Sequence, residues 1–202
     1  MTTVLPAAHS DAPDSDIDPL ALERQVCFAL AVTNRAVLAV YRPLLEPLGL
    51  THPQYLVMLA LWDNAKAGGG DVQNGDDQNG DDQNDDVRNK AALSVKQIAA
   101  LLQMDPATSS PMLKRLEALG LVTRTRSAAD ERAILVSLTA EGEALRQRAL
   151  DIPATVVARL GVEMSELEHL HSVLTRINTA ALAAGALDQI AGPNRSSASL
   201  MT

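Results

Sequence analysis

The 202-residue sequence predicts a mainly α-helical fold with a small β wing, and three observations carry that prediction. Two capped helical segments follow one another through a tight turn between residues 94 and 119. A hairpin pattern comes directly after them, with residues 121–126 and 133–138 around the polar tip Ser127-Ala-Ala-Asp-Glu131. Long, largely apolar helical stretches precede and follow this block. Two short helices joined by a tight turn make a helix-turn-helix, and a hairpin after the second helix makes a wing.

Each element has a local reason. Asp18-Pro19 pairs a capping carboxylate with proline at the first helical position, and this predicts a helix start. Leu22, Val26, Ala29, Leu30, Val37, Val40, Tyr41, Leu44 and Leu45 then recur at mostly three- and four-residue steps, until Pro43 and Pro47 are expected to end or kink the helix. Thr51-His-Pro-Gln54 is a capping box that opens a second helix, from 53 to about 62. Ser94-Val-Lys-Gln97 is another, with Ile98, Leu101 and Leu102 on one face. Gln103-Met104 form the turn, Asp105-Pro106 caps the next helix, and Gly120 closes it. Helical stretches then run from 140 to about 160, interrupted near Pro153, and from 166 to about 187, with Ser165-Glu-Leu-Glu168 as the cap.

The resulting organisation is an acidic disordered arm at 1–17, N-terminal helices at 18–63, an acidic low-complexity insert at 64–92, the helix-turn-helix and wing at 93–139, C-terminal helices at 140–187 and a disordered tail at 188–202. Within the insert, Gln-Asn-Gly-Asp-Asp occurs at 73–77 and again at 78–82, a composition with nothing to bury. A flexible coil of that length spans roughly 30 Å between its ends.

Charge follows the same division. The net charge of −8 resides in residues 1–26 and 64–92, which carry −4 each, so the body is neutral with 13 acids and 13 bases. Residues 106–139 hold five bases against three acids, a local excess of +2 suited to a phosphate backbone. With 2% aromatic residues the core must be aliphatic. The start has no basic segment leading into an apolar run, and no unbroken apolar run approaches 18 residues, so the expectation is a cytoplasmic protein without a membrane segment. Cys27, the one cysteine, excludes an internal disulfide and a Cys-rich zinc site. It is either an inert core sulfur or a single reactive thiol. His169 and His171 stand two apart, on different faces of a helix, and make a poor metal pair, so neither metal nor cofactor is expected.

The helix after the turn presents Thr108, Ser109, Ser110, Met112, Lys114 and Arg115. Hydroxyls near the start of such a helix suit base edges, and the cations suit phosphates or guanine. The hairpin adds Arg124, Arg126 and Arg132.

Leu113-Lys-Arg-Leu-Glu-Ala-Leu-Gly-Leu-Val-Thr-Arg followed by Asp130-Glu-Arg-Ala-Ile-Leu-Val-Ser-Leu-Thr-Ala-Glu-Gly resembles the winged-helix core of the MarR family of bacterial transcriptional regulators. Gln25-Val-Cys-Phe-Ala-Leu, Tyr41-Arg-Pro-Leu-Leu, Thr51-His-Pro-Gln-Tyr-Leu and Asp151-Ile-Pro are similar to its organic-hydroperoxide-sensing OhrR branch. The resemblance covers about residues 20–180 outside the insert. It implies a homodimer with intertwined terminal helices, binding pseudo-palindromic double-stranded DNA, with Arg132 in the minor groove and Asp130 orienting it. It further implies a repressor that releases its operator when an organic hydroperoxide oxidises Cys27, which then forms a mixed disulfide with a small cellular thiol. Tyr41 matches the branch's tyrosine partner of the cysteine. Fourteen residues at 1.5 Å each separate the two by roughly 21 Å along a straight helix, so their contact requires the other subunit. Ala31 and His52 stand where the branch often has further tyrosines; His52 is either a substitute hydrogen-bond donor or an ordinary surface residue.

Three other readings compete with this one. One is a regulator of the same family that answers a small apolar ligand between subunits, and another is a winged helix used only to dock protein. The third is a thiol peroxidase, an enzyme, for which no constellation of nucleophile, base and oxyanion donors can be assembled.

Overall fold

The computed structural model describes residues 18, 20–69, 92–127, 130 and 132–186. The arm at 1–17, most of the insert and the tail at 188–202 lie outside the described residues. The chain divides into two compact units, 1–39 and 40–202, with the boundary inside the first helix.

In the first unit, the Asp18 carboxylate accepts the Leu20 N–H at 2.9 Å and thus does cap a turn. A short 3-10 segment, Leu22–Arg24, follows with Ala21 at its N-cap and no side-chain cap, and it is closed by extended backbone at Gln25 (ψ 118°). Helix α1, Val26–Leu45, therefore starts eight residues after Asp18, later than the sequence suggested. Cys27 consequently stands in the first turn of α1 rather than two turns in. The stretch Val26–Leu48 is also long and apolar enough, by length and composition alone, to qualify as a membrane span. Counting unbroken apolar runs overlooks it, because Thr33, Asn34, Arg35 and Arg42 interrupt the run. Val26, Phe28, Leu30 and Val32 are exposed along it.

In the second unit, α1 passes through Pro43 without ending there. Pro47 lies in the 3-10 turn Glu46–Leu48, and Gly49 closes that turn at φ +69°. Helix α2, His52–Gly69, begins where the Gln54 side-chain oxygen accepts the Thr51 N–H at 2.8 Å. It runs seven residues past Trp62, into the segment read from sequence as insert. Asp63-Asn-Ala-Lys-Ala67 contains no breaker, and Ala65 still packs against the core.

Strand β1, Leu93–Ser94, pairs antiparallel with the later strand of the wing, Leu93 opposite Val136. Two residues are too few to show an alternating pattern, which is why the sequence reading has only the hairpin. Helix α3, Val95–Leu101, opens on the expected box: the Ser94 hydroxyl accepts the Gln97 N–H at 3.1 Å, and the Gln97 side chain accepts the Ser94 N–H at 2.8 Å. Gln103 turns the chain at φ +50°. Helix α4, Pro106–Ala118, starts where the Asp105 carboxylate accepts the Ala107 N–H at 2.7 Å, and Gly120 follows it at φ +73°, a backbone conformation that suits glycine. Strands β2, Val122–Arg126, and β3, Ile134–Leu138, complete a sheet of order β1-β3-β2, with Arg124 opposite Val136.

Helices α5, Ala140–Ala149, and α6, Ile152–Leu160, are separated at Leu150-Asp151, where Pro153 restarts the helix. Helix α7, Met164–Ala183, is capped by Glu163 and Glu166, two residues earlier than Ser165 suggested. The core of this unit is mostly aliphatic, with Tyr55 and Trp62 buried in it as well: Leu45, Val57, Met58, Leu61, Ile98, Leu113, Leu116, Val122 and Val136 are essentially inaccessible. Helix α7 buries none of its residues, and Leu170, Ile177 and Leu182 are exposed on it.

Candidate nucleic-acid interface and sensor residues

Thr108, Lys114 and Arg115 are exposed on α4, and Ser110 is half-buried there. Ser109 corrects the sequence reading. It is wholly buried, and its hydroxyl donates to the Asp105 carbonyl at 3.1 Å, so it secures the helix start and is unavailable to a base edge. Its neighbours at helical spacing, Leu113 and Leu116, face the same core, and that periodicity was the available signal.

The wing tip is built by short polar contacts. The Asp130 carboxylate accepts the Arg132 backbone N–H at 3.0 Å, the Asp130 N–H donates to the Ser127 hydroxyl at 3.3 Å, and the Ala133 N–H donates to the Asp130 carbonyl at 2.8 Å. Asp130 thus orients Arg132 through the backbone, and the exposed Arg132 side chain extends from that turn. Arg126 is exposed at the end of β2. Arg124 is different: its guanidinium reaches back to Glu117 on α4 at 3.5 Å, with its side chain 15% exposed, so it braces strand to helix and does not add to the outward positive face.

Among the sensor candidates, Cys27 is exposed on its own chain and takes no part in the core that this chain builds. Tyr41 and His52 meet edge to face, ring centroids 4.9 Å apart at 70°. His52 is half-buried rather than an ordinary surface residue. Burial lowers its pKa, and burial raises that of Tyr41, so a neutral imidazole faces a protonated phenol at neutral pH. A lowered histidine pKa means the unfolded chain binds more protons between the folded value and 6.5. Stability contributed here is therefore complete above about pH 6.5 and is lost as pH falls through the folded value. A denaturant midpoint that falls from pH 7 to pH 5 less steeply in His52→Gln than in the parent is the expected result. Parallel pH dependences would remove His52 from that role.

Two residues escaped the sequence reading. Tyr55 lies 6.1 Å from Tyr41, and Trp62 lies 6.4 Å from Tyr55. The Trp62 indole N–H donates to the Gly142 carbonyl at 2.8 Å, deep in the core. The signal available was an aromatic pair seven residues apart on one helix, in a chain with only four aromatic residues. Beside them, a cleft of about 710 Å³ opens between α2, the end of α3, α5 and the start of α6, with Leu59, Leu101 and Leu150 in its wall together with half-buried Arg146. Among the described residues, no cluster of His, Cys, Asp and Glu suits a metal ion.

A helix-turn-helix followed by a hairpin wing whose later strand also pairs with β1, with cations along the second helix and at the wing tip, defines a winged-helix DNA-binding transcriptional regulator. Residues 39–148 match the family model described as transcriptional regulator SarA/Rot. The chain is 35% identical over 161 residues to the organic hydroperoxide resistance transcriptional regulator of Bacillus subtilis strain 168, covering 80% of this chain and 92% of that one. Its fold is shared with reduced AbfR of Staphylococcus epidermidis bound to DNA, with TM-score 0.57, 23% identity, and 80% of this chain and 94% of that one covered. It is shared also with wild-type MarR from E. coli in its apo form, with TM-score 0.50, 19% identity, and 76% and 96% covered. The chain belongs to the MarR family of winged helix-turn-helix transcriptional regulators, and these relatives are DNA-binding regulators rather than enzymes.

Proposed function

We propose that this protein is a cytoplasmic homodimeric repressor that senses organic hydroperoxides through Cys27 and then releases a pseudo-palindromic operator. The observation that carries this reading is the exposure of Cys27, the one thiol of the chain, in the first turn of α1. The relative in Bacillus subtilis, named for organic hydroperoxide resistance, supports it. The Cys27 sulfur attacks the peroxide oxygen, the O–O bond breaks and an alcohol leaves, giving a sulfenate. A small cellular thiol then condenses with the sulfenic acid, losing water and forming a mixed disulfide, because the chain has no second cysteine. The exposed apolar faces of α1 and α7 support a dimer, in which the partner covers Leu30, Leu170 and Ile177 and supplies Tyr41 and His52 toward Cys27. On this reading the apolar stretch of α1 serves the dimer and no membrane.

On DNA, Thr108, Ser110, Lys114 and Arg115 enter the major groove, and Arg132, held by the Asp130 turn, enters the minor groove. Arg132→Ala is expected to weaken operator binding and to reduce the slope of log affinity against log salt by about one unit. A salt titration indistinguishable from the parent's would refute the placement of the wing.

The test of sensing is a band shift of the full chain on its operator with cumene hydroperoxide and a small thiol, paired with intact mass. Release together with one thiol adduct per chain is expected; release without any change in mass would transfer the function to a ligand. A second reading is response to a small apolar ligand; the cleft beside Trp62 and Arg146 lies within one chain, so it favours a ligand seated there and not one between subunits.

A further inference from the structure

We propose that Trp62 positions the wing, receiving the state of Tyr41 on α1 through a row of three aromatic rings and passing it on through the Gly142 carbonyl. For its input the proposal rests on the sensing reading above. Three of the four aromatic residues of the chain stand in that row, Tyr41 to Tyr55 at 6.1 Å and Tyr55 to Trp62 at 6.4 Å, with His52 against the first ring. Tyr55 and Trp62 are 2% and 5% exposed, so each ring is in packed contact over most of its surface.

The far end of the row is clamped. Gly142 receives the Trp62 N–H on its carbonyl and gives its own N–H to the Thr139 hydroxyl at 3.0 Å. That hydroxyl donates in turn to the Gly120 carbonyl, while the Thr139 N–H donates to the Leu121 carbonyl at 3.1 Å. A Cβ on Gly142 would lie 2.0 Å from the Leu121 oxygen, so the first turn of α5 rests directly on the hairpin base. Gly120-Leu121 lead into β2, and Thr139 follows β3. The indole hydrogen bond therefore joins α2 to the turn of α5 that is itself bonded to both ends of the wing. A packed, hydrogen-bonded chain of this kind has the contiguity that coupling between sites requires.

Trp62 is the only tryptophan, so its emission reports its own surroundings. In Cys27→Ser protein without oxidant, saturation with operator DNA is expected to shift that emission, because coupling is reciprocal. An unchanged spectrum at saturation would overturn the proposal independently of any sensing chemistry. In otherwise native protein, Trp62→Phe keeps a ring against Tyr55 and removes the N–H donor. Unchanged Cys27 oxidation by mass, and hydroperoxide-induced release diminished on the order of tenfold relative to the variant's own affinity before oxidation, are expected. Release equal to the parent's would overturn the role of Trp62. Tyr55→Leu interrupts the row while leaving the indole bond; it is expected to lose coupling likewise, and full coupling in it would overturn the row if Trp62→Phe does not fold. A parent that does not release DNA on oxidation would sink the sensing reading, and the emission experiment would still decide the positioning role.

Discussion

Gly142→Ala is expected to destabilise the winged unit by on the order of 3 kcal/mol or more. Alanine in place of glycine inside a helix favours folding by about 1 kcal/mol through lower chain entropy. At Gly142 that gain is outweighed. The added Cβ would stand 2.0 Å from the Leu121 carbonyl oxygen, 3.1 Å from its carbon and 3.3 Å from Leu138 Cδ2. Two of these three neighbours are backbone atoms and cannot rotate away. To accommodate the methyl group, α5 must lift from the hairpin, stretching the Trp62–Gly142 bond and the Thr139 cap together. For a domain of this size, 1 kcal/mol corresponds to about 2–4 °C in Tm, so a fall of roughly 6–12 °C is expected by circular dichroism. A melting point within about 2 °C of the parent's would show that α5 is free to move off the strands.

Much of this fold was legible because local chemistry and tertiary packing agree. Ser94-Gln97, Asp105-Pro106 and Gly120 form the contacts their residue types suggest, and the hairpin strands fall within one residue of the alternating pattern. The departures arise where a cap signal competes with context. Asp18 caps only the turn ahead of a 3-10 segment, and extended backbone at Gln25 delays α1 to Val26. Ser165 yields to Glu163, which exchanges hydrogen bonds with Glu166 in the same box geometry. Strand β1 exists only through its pairing with β3, an interaction that two residues cannot announce.

The candidate site was legible in its parts and less so in their directions. Lys114, Arg115 and Arg132 are exposed, whereas the helical period that buries Leu113 and Leu116 also turns Ser109 inward. Arg124 looked like wing charge, but Glu117 on α4, seven residues earlier, holds it to the helix. Trp62 lay hidden because its partner is a glycine carbonyl 80 residues on, and no side-chain pattern marks such a bond.

Cys27→Ser is expected to bind operator as the parent does and to lose hydroperoxide-induced release entirely. The substitution exchanges sulfur for oxygen at an exposed position in the first turn of α1, where it disturbs no core contact. Winged-helix binding should therefore survive: its residues, Thr108 through Arg132, lie in the unit from 40 to 202, and Cys27 lies in the other. Sensing should not survive, since a serine hydroxyl at neutral pH is not a nucleophile toward the O–O bond and cannot form a disulfide with a small thiol. No other cysteine can stand in. Band shifts of parent and variant across the same hydroperoxide series distinguish the possibilities. Release by the Ser variant at the parent's concentrations would sink thiol sensing and favour a ligand seated in the cleft of α2, α3 and α5. Loss of operator binding in the unoxidised Ser variant would instead mean that the sulfur is needed to build the DNA-binding state. Retained binding with no release leaves oxidation at Cys27 as the event that moves the wings.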